Sequence, residues 1–122
     1  LLRPHFSNFG KRLVKSPKIY FYDSGLAAWL LNIQDPAYLA IHPQRGGLFE
    51  SLIVVELLKS RYNLGLISNF NFWRNNLGDE IDLILDRGSE LIPVEIKSAA
   101  TLNPDFFKGL QNRDLIPMVP PR

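Results

Sequence analysis

The sequence predicts an α/β or α+β domain in which helices pack on the faces of a sheet, and three observations carry that prediction. An apolar helical stretch runs from Leu48 to about Arg61, three β-branched and aromatic runs follow between residues 66 and 97, and an Asn-Pro pair at 103–104 opens another helix. At 122 residues, with 46% hydrophobic and 21% charged residues, the chain has material for one core and the composition of a globular protein.

The elements follow in order. KIYFYD reads as a strand on its aromatic and β-branched content. Ser24 reads as the N-cap of a short helix, GLAAWLL, ending near Asn32. NIQDPAYLAIHPQRGG, with its prolines and glycines, reads mostly as connection. In LFESLIVVELLKSR the apolar positions go nearly all the way round, which marks a helix buried on more than one side. Its two glutamates differ: Glu56 has Lys59 and Ser60 one turn ahead and faces solvent, whereas Glu50 has Ile53 and Val54 there and sits on an apolar face. Strands are expected at about Leu66–Trp73, Glu80–Asp86 and Leu91–Lys97, then a helix with Asn103 as cap and Pro104 at its first position. The tail from Leu115 has three prolines in eight residues and reads as a truncated strand. An opening LLRP without an initiator methionine points to a segment of something longer.

Composition excludes several chemistries. The longest apolar run, SLIVVELLK, is interrupted by a glutamate and is far shorter than the roughly 18 residues that cross a bilayer, so no membrane partner is expected. With no cysteine there is neither a disulfide nor a thiolate metal site, which suits a cytoplasmic location. The net charge of +2 does not by itself announce a nucleic-acid binder. RPHFSNFGKRLVKSPK nevertheless holds five of the fourteen Lys and Arg with no acid among them, so Lys11, Arg12, Lys15 and Lys18 are candidates for phosphate contacts. Trp73 and Arg74 are further candidates, by stacking and charge, although an aromatic at a strand end more often belongs to the core.

The densest signal is GDEIDLILDRGSELIPVEIK, residues 78–97. Gly88-Ser89 suits a two-residue hairpin loop with Gly first. That turn sets Arg87 opposite Glu90, Ile84 opposite Pro93, Asp82 opposite Glu95 and Glu80 opposite Lys97. Alternation then places Glu80, Asp82, Glu95 and Lys97 on one face and Ile81, Leu83, Val94 and Ile96 on the other. The Asp82–Glu95 pair falls where opposed Cα atoms are only about 4.5 Å apart, and two carboxylates that close need a proton, a lysine or a metal between them. All-oxygen ligands of this kind suit Mg²⁺ or Mn²⁺. On spacing alone a solvated face with a Glu80–Lys97 ion pair stands as the alternative.

An acid early in one strand, Glu-x-Lys in the next and a Glu on a preceding helix resemble the PD-(D/E)XK nuclease superfamily, at Glu50, Asp82, Glu95 and Lys97. Four ordered blocks, SPKIYFYDSGLAAWLL, GGLFESLIVVELLKS, FWRNNLGDEIDLIL and IPVEIKSA, resemble the uncharacterised C-terminal domain of a bacterial and archaeal family of AAA-type ATPases, over about residues 4–112. The resemblance implies a restriction-endonuclease-like mixed sheet flanked by helices, truncated at its C-terminus, with residues 1–45 an N-terminal extension and 46–113 the nuclease-like core. It further implies a Mg²⁺- or Mn²⁺-dependent phosphodiesterase acting on DNA. Asp82, Glu95, the Ile96 carbonyl and Glu50 would then be ligands, and Lys97 would orient or help deprotonate the attacking water. The ATPase module is the implied partner, while the absence of G-x-x-x-x-G-K-[ST] leaves no P-loop for ATP in this segment. Related folds include inactive members, so a DNA-binding, protein-interaction or homo-oligomerisation module of the ATPase is the alternative.

Overall fold

The computed structural model describes residues 1–4 and 16–111. Lys11, Arg12, Lys15 and the expected last strand after Arg113 lie outside the described residues. The elements are α1 (Ser24–Leu30), α2 (Pro36–Ile41), α3 (Arg45–Asn63), β1 (Phe70–Arg74), β2 (Glu80–Asp86), β3 (Leu91–Val94) and a 3₁₀ turn (Pro104–Phe107). Helices and strands are thus mixed, as expected. They fall into two compact units: the sheet with the two flanking terminal segments, and Tyr20–Ile67 with Ile96–Ala100.

In the first unit the sheet has the order β1-β2-β3 and is antiparallel throughout. A mixed sheet was expected. The one parallel pairing among the described residues is a bridge of Pro4 to Phe72, where the Phe72 amide donates to the Arg3 carbonyl at 3.1 Å. Leu2 bridges Lys18 through two backbone hydrogen bonds of 2.8 and 2.9 Å, and these bring Lys18 to the sheet. KIYFYD is otherwise not a strand: Ile19, Phe21 and Tyr22 are exposed and only Lys18 has a ladder partner. Aromatic and β-branched content favours a strand only where a neighbouring strand exists to pair with it.

The β2–β3 hairpin has the predicted register, with Ile84 opposite Pro93 and the Arg87 amide donating to the Glu90 carbonyl at 2.9 Å. Pro93 is tolerated because β3 is an edge strand. Gly88 adopts φ +81°, and its amide donates to Asp86 Oδ1 at 2.7 Å. A side chain there would be strained, which is why the turn carries glycine.

The β1–β2 ladder departs from simple alternation. Asn71 pairs with Ile84 and Trp73 with Ile81, so Phe72 stands opposite two residues, Asp82 and Leu83. This is a β-bulge on β2. Its consequence is that Ile81 and Ile84, three apart in sequence, join Trp73 in one apolar cluster against which Leu91 packs. The expected strict two-face partition of β2 fails for this reason.

In the second unit α1 and α2 each pack on α3. Asp23, not Ser24, caps α1, because its Oδ1 accepts the Leu26 amide at 3.0 Å. Asp35 caps α2 in the same way, accepting the Tyr38 amide at 2.8 Å with Pro36 at the first position. The stretch read as connection therefore contains a short helix. α3 begins three residues earlier than expected, through Gly46 and Gly47, and runs 19 residues. It buries Ser51, Val54 and Val55, while Glu56 is exposed and pairs with Lys59 at 3.0 Å. No helix among the described residues is long and apolar enough to cross a membrane.

Candidate metal and phosphate site

β2 supplies the first carboxylates. Asp82 is 7% exposed, an uncommon burial for an acid, and it sits at the bulge. Bulges re-aim side chains and terminate pairing, and they recur next to active sites. Carboxylate oxygens of Glu80 and Asp82 lie within 4.8 Å of one another. β3 ends at Val94, and the register of the ladder continued by one residue sets Glu95 across from Asp82. The first unit therefore holds Glu80, Asp82 and Glu95, with Glu95 one residue past the last ladder pair.

Glu80 is already spoken for by cations. Its Oε1 accepts from Lys18 Nζ, while its Oε2 accepts from Arg74 Nε at 2.6 Å and pairs with Arg74 Nη2. Glu80 forms its cross-strand ion pair with Arg74 of β1. Burial raises the Glu80 pKa, but hydrogen bonds and charge from Lys18 and Arg74 outweigh it and hold the carboxyl below its ordinary value. Lys18 also lies 5.3 Å from the centroid of the Phe72 ring, a cation–π contact that fixes its ammonium.

Trp73 is 2% exposed and belongs to the core, so its ring is not offered for base stacking. Arg74, one residue on, is partly exposed and is the candidate the sheet presents.

Glu50, Ile96 and Lys97 belong to the second unit. Glu50 is half-buried on α3, and the Tyr20 hydroxyl donates to its Oε1. Ile96 and Lys97 lie outside any regular element, with Lys97 exposed. Lys97 also borders a mostly apolar cavity of about 680 Å³, together with Arg45, Leu39, Leu48 and Phe49. Arg45 closes one side of it by donating to the carbonyls of Ala40, at 3.2 Å, and Ser98, at 2.6 Å.

Two residues that sequence reasoning missed shape the sheet end of the site. Asn75 is 6% exposed; its Oδ1 accepts the amides of Leu77 and Asp79 at 3.0 and 2.9 Å, and its Nδ2 donates to Asp79 at 2.7 Å. The N-N-x-G-D spelling of a turn was the available signal. Gly109 runs so close to β2 that a Cβ there would stand 2.8 Å from the Glu80 carbonyl and 3.5 Å from Glu95 Oε2. Nothing in its local sequence announces that approach.

The donor set suits a hard divalent cation: buried or half-buried carboxylates, all oxygen, in one corner of a sheet. Within the first unit, Glu80 and Asp82 are the pair of carboxylates brought within 4.8 Å, and both oxygens of Glu80 are held by cations.

Comparison with known proteins places this geometry in a family without assigning it an activity. Residues 45–119 match the family described as Domain of unknown function (DUF4143), and residues 1–37 match a second, Domain of unknown function (DUF8612). Uncharacterized proteins of Mycobacterium tuberculosis (strain ATCC 25618 / H37Rv) and of Mycobacterium bovis (strain ATCC BAA-935 / AF2122/97) are each 34% identical over 100 residues, which is 82% of this chain. The chain spans about one fifth of those relatives, 22% of their length. No solved structure matches the chain significantly. The matched residues include α3, all three strands and Glu50, Glu80, Asp82 and Glu95, and the chain belongs to the DUF4143 family.

Proposed function

We propose that this chain is a nuclease-like module that binds DNA and hydrolyses its phosphodiester bonds with Mg²⁺ or Mn²⁺, working alongside an AAA-type ATPase module of a longer protein. The observation that carries the reading is Asp82, buried at a bulge with the Glu80 carboxylate within 4.8 Å. Carboxylates gathered this closely, one of them buried, recur at functional sites. The restriction-endonuclease-like fold belongs to the same reading and rests on the sequence blocks.

Asp82 and Glu95 would hold the cation, with Glu50 and the Ile96 carbonyl assigned to it by the sequence resemblance. When bound, the cation would polarise the scissile phosphate and stabilise the charge that develops on its oxygens. Lys97 orients the attacking water, assists loss of its proton and offsets charge in the transition state. Arg74 and Lys18 contact the backbone phosphates.

The test is incubation of the chain with plasmid, single-stranded and branched DNA in Mg²⁺ or Mn²⁺. Cleavage that is lost in both Lys97→Ala and Asp82→Ala is expected; cleavage that persists in Lys97→Ala would exclude this site. A second reading, an interaction or oligomerisation module of the ATPase without turnover, draws on the exposure of Leu26, Trp29 and Leu30 on α1. Sedimentation as a concentration-independent monomer counts against that alternative.

A further inference from the structure

We propose that the cavity between the three helices binds a small monoanion with an aliphatic body, of the medium-chain carboxylate class, and that Arg45 receives its charged end. Every residue lining the cavity belongs to the second unit, so the proposal is independent of the metal and DNA reading above.

The walls follow from the helices. α1 lines the space with two small residues, Gly25 and Ala28, whereas α3 supplies Leu48, Phe49 and Leu52 and α2 supplies Leu39. Small residues on one wall and bulky ones on the others leave about 680 Å³. Pockets that take small ligands span roughly 300–1,000 Å³. The apolar wall is also open to solvent, since Leu52 is 40% exposed. An aliphatic chain laid against it removes apolar surface from water, which is favourable.

Charge selects the other end of the ligand. Arg45 Nη1 donates to the Ala40 carbonyl at 3.2 Å and Nη2 to the Ser98 carbonyl at 2.6 Å, which fixes the guanidinium between the end of α2 and the 96–100 segment. Both acceptors are neutral. Among the described residues no carboxylate pairs with Arg45, and none lines the cavity. A guanidinium has five N–H donors, so those not given to the two carbonyls remain for an incoming oxygen. Lys97 borders the cavity too but has an interaction of its own, so the charge on offer is that of Arg45. One fixed positive charge beside an apolar space favours a monoanion, because a dianion brings a second charge that has no partner there. With the guanidinium already held, little side-chain entropy is lost when a carboxylate arrives.

The probes are octanoate, octanol as its uncharged counterpart and octyl phosphate as its dianionic one. Binding of each to the 122-residue chain is measured by titration calorimetry in mildly alkaline buffer. Octanoate should bind the wild type with a Kd of about 1 mM or tighter. Arg45→Gln should lower the octanoate-to-octanol affinity ratio roughly tenfold while leaving octanol binding nearly unchanged, because a charge-assisted hydrogen bond is lost and the walls are kept. Arg45→Lys should keep most of the ratio. Ala28→Leu, which fills the space, should weaken both ligands several-fold. Circular dichroism checks each variant for folding.

An unchanged ratio in folded Arg45→Gln, undiminished binding by folded Ala28→Leu, or no octanoate binding by the wild type at several millimolar would overturn the proposal. The comparison of octanoate with octyl phosphate needs no variant: the phosphate should bind the wild type more weakly, and equal or tighter binding would overturn the choice of a monoanion. A concentration-dependent dimer that Ala28→Leu disrupts would overturn it too, assigning the cavity to a second copy of the chain. None of these readouts involves DNA or a metal, so they stand or fall apart from the hydrolysis reading.

Discussion

Asn75 illustrates how much one side chain can organise. It is 6% exposed and ties the β1–β2 connection together through three hydrogen bonds, two to backbone amides and one to Asp79. Asn75→Ala would remove these hydrogen bonds, and because Leu77 and Asp79 are exposed their amides can turn to water, so the cost is that of lost hydrogen bonds, about 0.5–1.5 kcal/mol. Urea unfolding followed by tryptophan fluorescence should report a loss in that range, whereas Asn76→Ala, next to it and exposed, should fall within about 0.5 kcal/mol of wild type. Glu80 makes a prediction about pH. Its carboxyl is held below its ordinary value by Lys18 and Arg74, so the folded state binds this proton more weakly than the unfolded state. Stability from the pair is therefore present above the unfolded value of about 4.3 and is lost as pH falls through the lower folded value. Thermal melts between pH 6 and pH 3 should show a shallower acid loss in Glu80→Gln than in wild type, and parallel curves would refute the coupling.

The element scale is where the bulge and the close approach of Gly109 decide the architecture. Phe72 opposite both Asp82 and Leu83 shifts the phase of β2, and the shift lets Ile81 and Ile84 share a cluster while Asp82 stays with Glu80. A bulge cannot be read from a run such as EIDLILD, because every residue in it suits a regular strand. The hairpin register could be read, because Gly88-Ser89 fixes it through local turn chemistry. The caps divide along the same line. Asn103 and Pro104 were legible and hold the 3₁₀ turn, whereas Asp23 and Ser24 are both good cap residues and only the structure separates them. The expected Asp82–Glu95 pairing came from counting outward from one turn, and the ladder follows that count as far as Leu83 and Val94. The grip of Lys18 on Glu80 spans 62 positions and has no local signature. Gly109 is the same kind of long-range fact. Gly109→Ala would place a methyl 2.8 Å from the Glu80 carbonyl, which belongs to the backbone and cannot swing aside. Overpacking of this kind costs about 1–3 kcal/mol. A fall of that size in unfolding free energy is expected, and a variant as stable as wild type would mean that the 101–111 segment shifts away without penalty.

At the scale of the whole molecule, the proposed metal site would link binding to folding. In the folded chain the β2–β3 ladder reaches Leu83 and Val94, the neighbours of Asp82 and Glu95, whereas the unfolded chain holds these two carboxylates 13 positions apart with no fixed geometry. A cation that needs both must therefore bind the native state selectively, and it stabilises that state by RT ln(1 + [metal]/Kd), about 1.4 kcal/mol at ten times Kd. For a chain of this size that corresponds to a rise in Tm of roughly 5 °C. Mn²⁺ titrated into the wild type should raise Tm progressively, and EDTA should reverse the rise. Asp82→Asn should abolish the response, since an amide cannot supply the charge a hard cation requires. Glu80→Gln should largely keep it, because both Glu80 oxygens already serve Lys18 and Arg74. The measurement needs no DNA and no turnover, so it separates metal binding from catalysis. A Tm shift of equal size in wild type and Asp82→Asn would place the cation elsewhere on the surface. A shift lost in Glu80→Gln as strongly as in Asp82→Asn would show that Glu80 is itself a metal ligand.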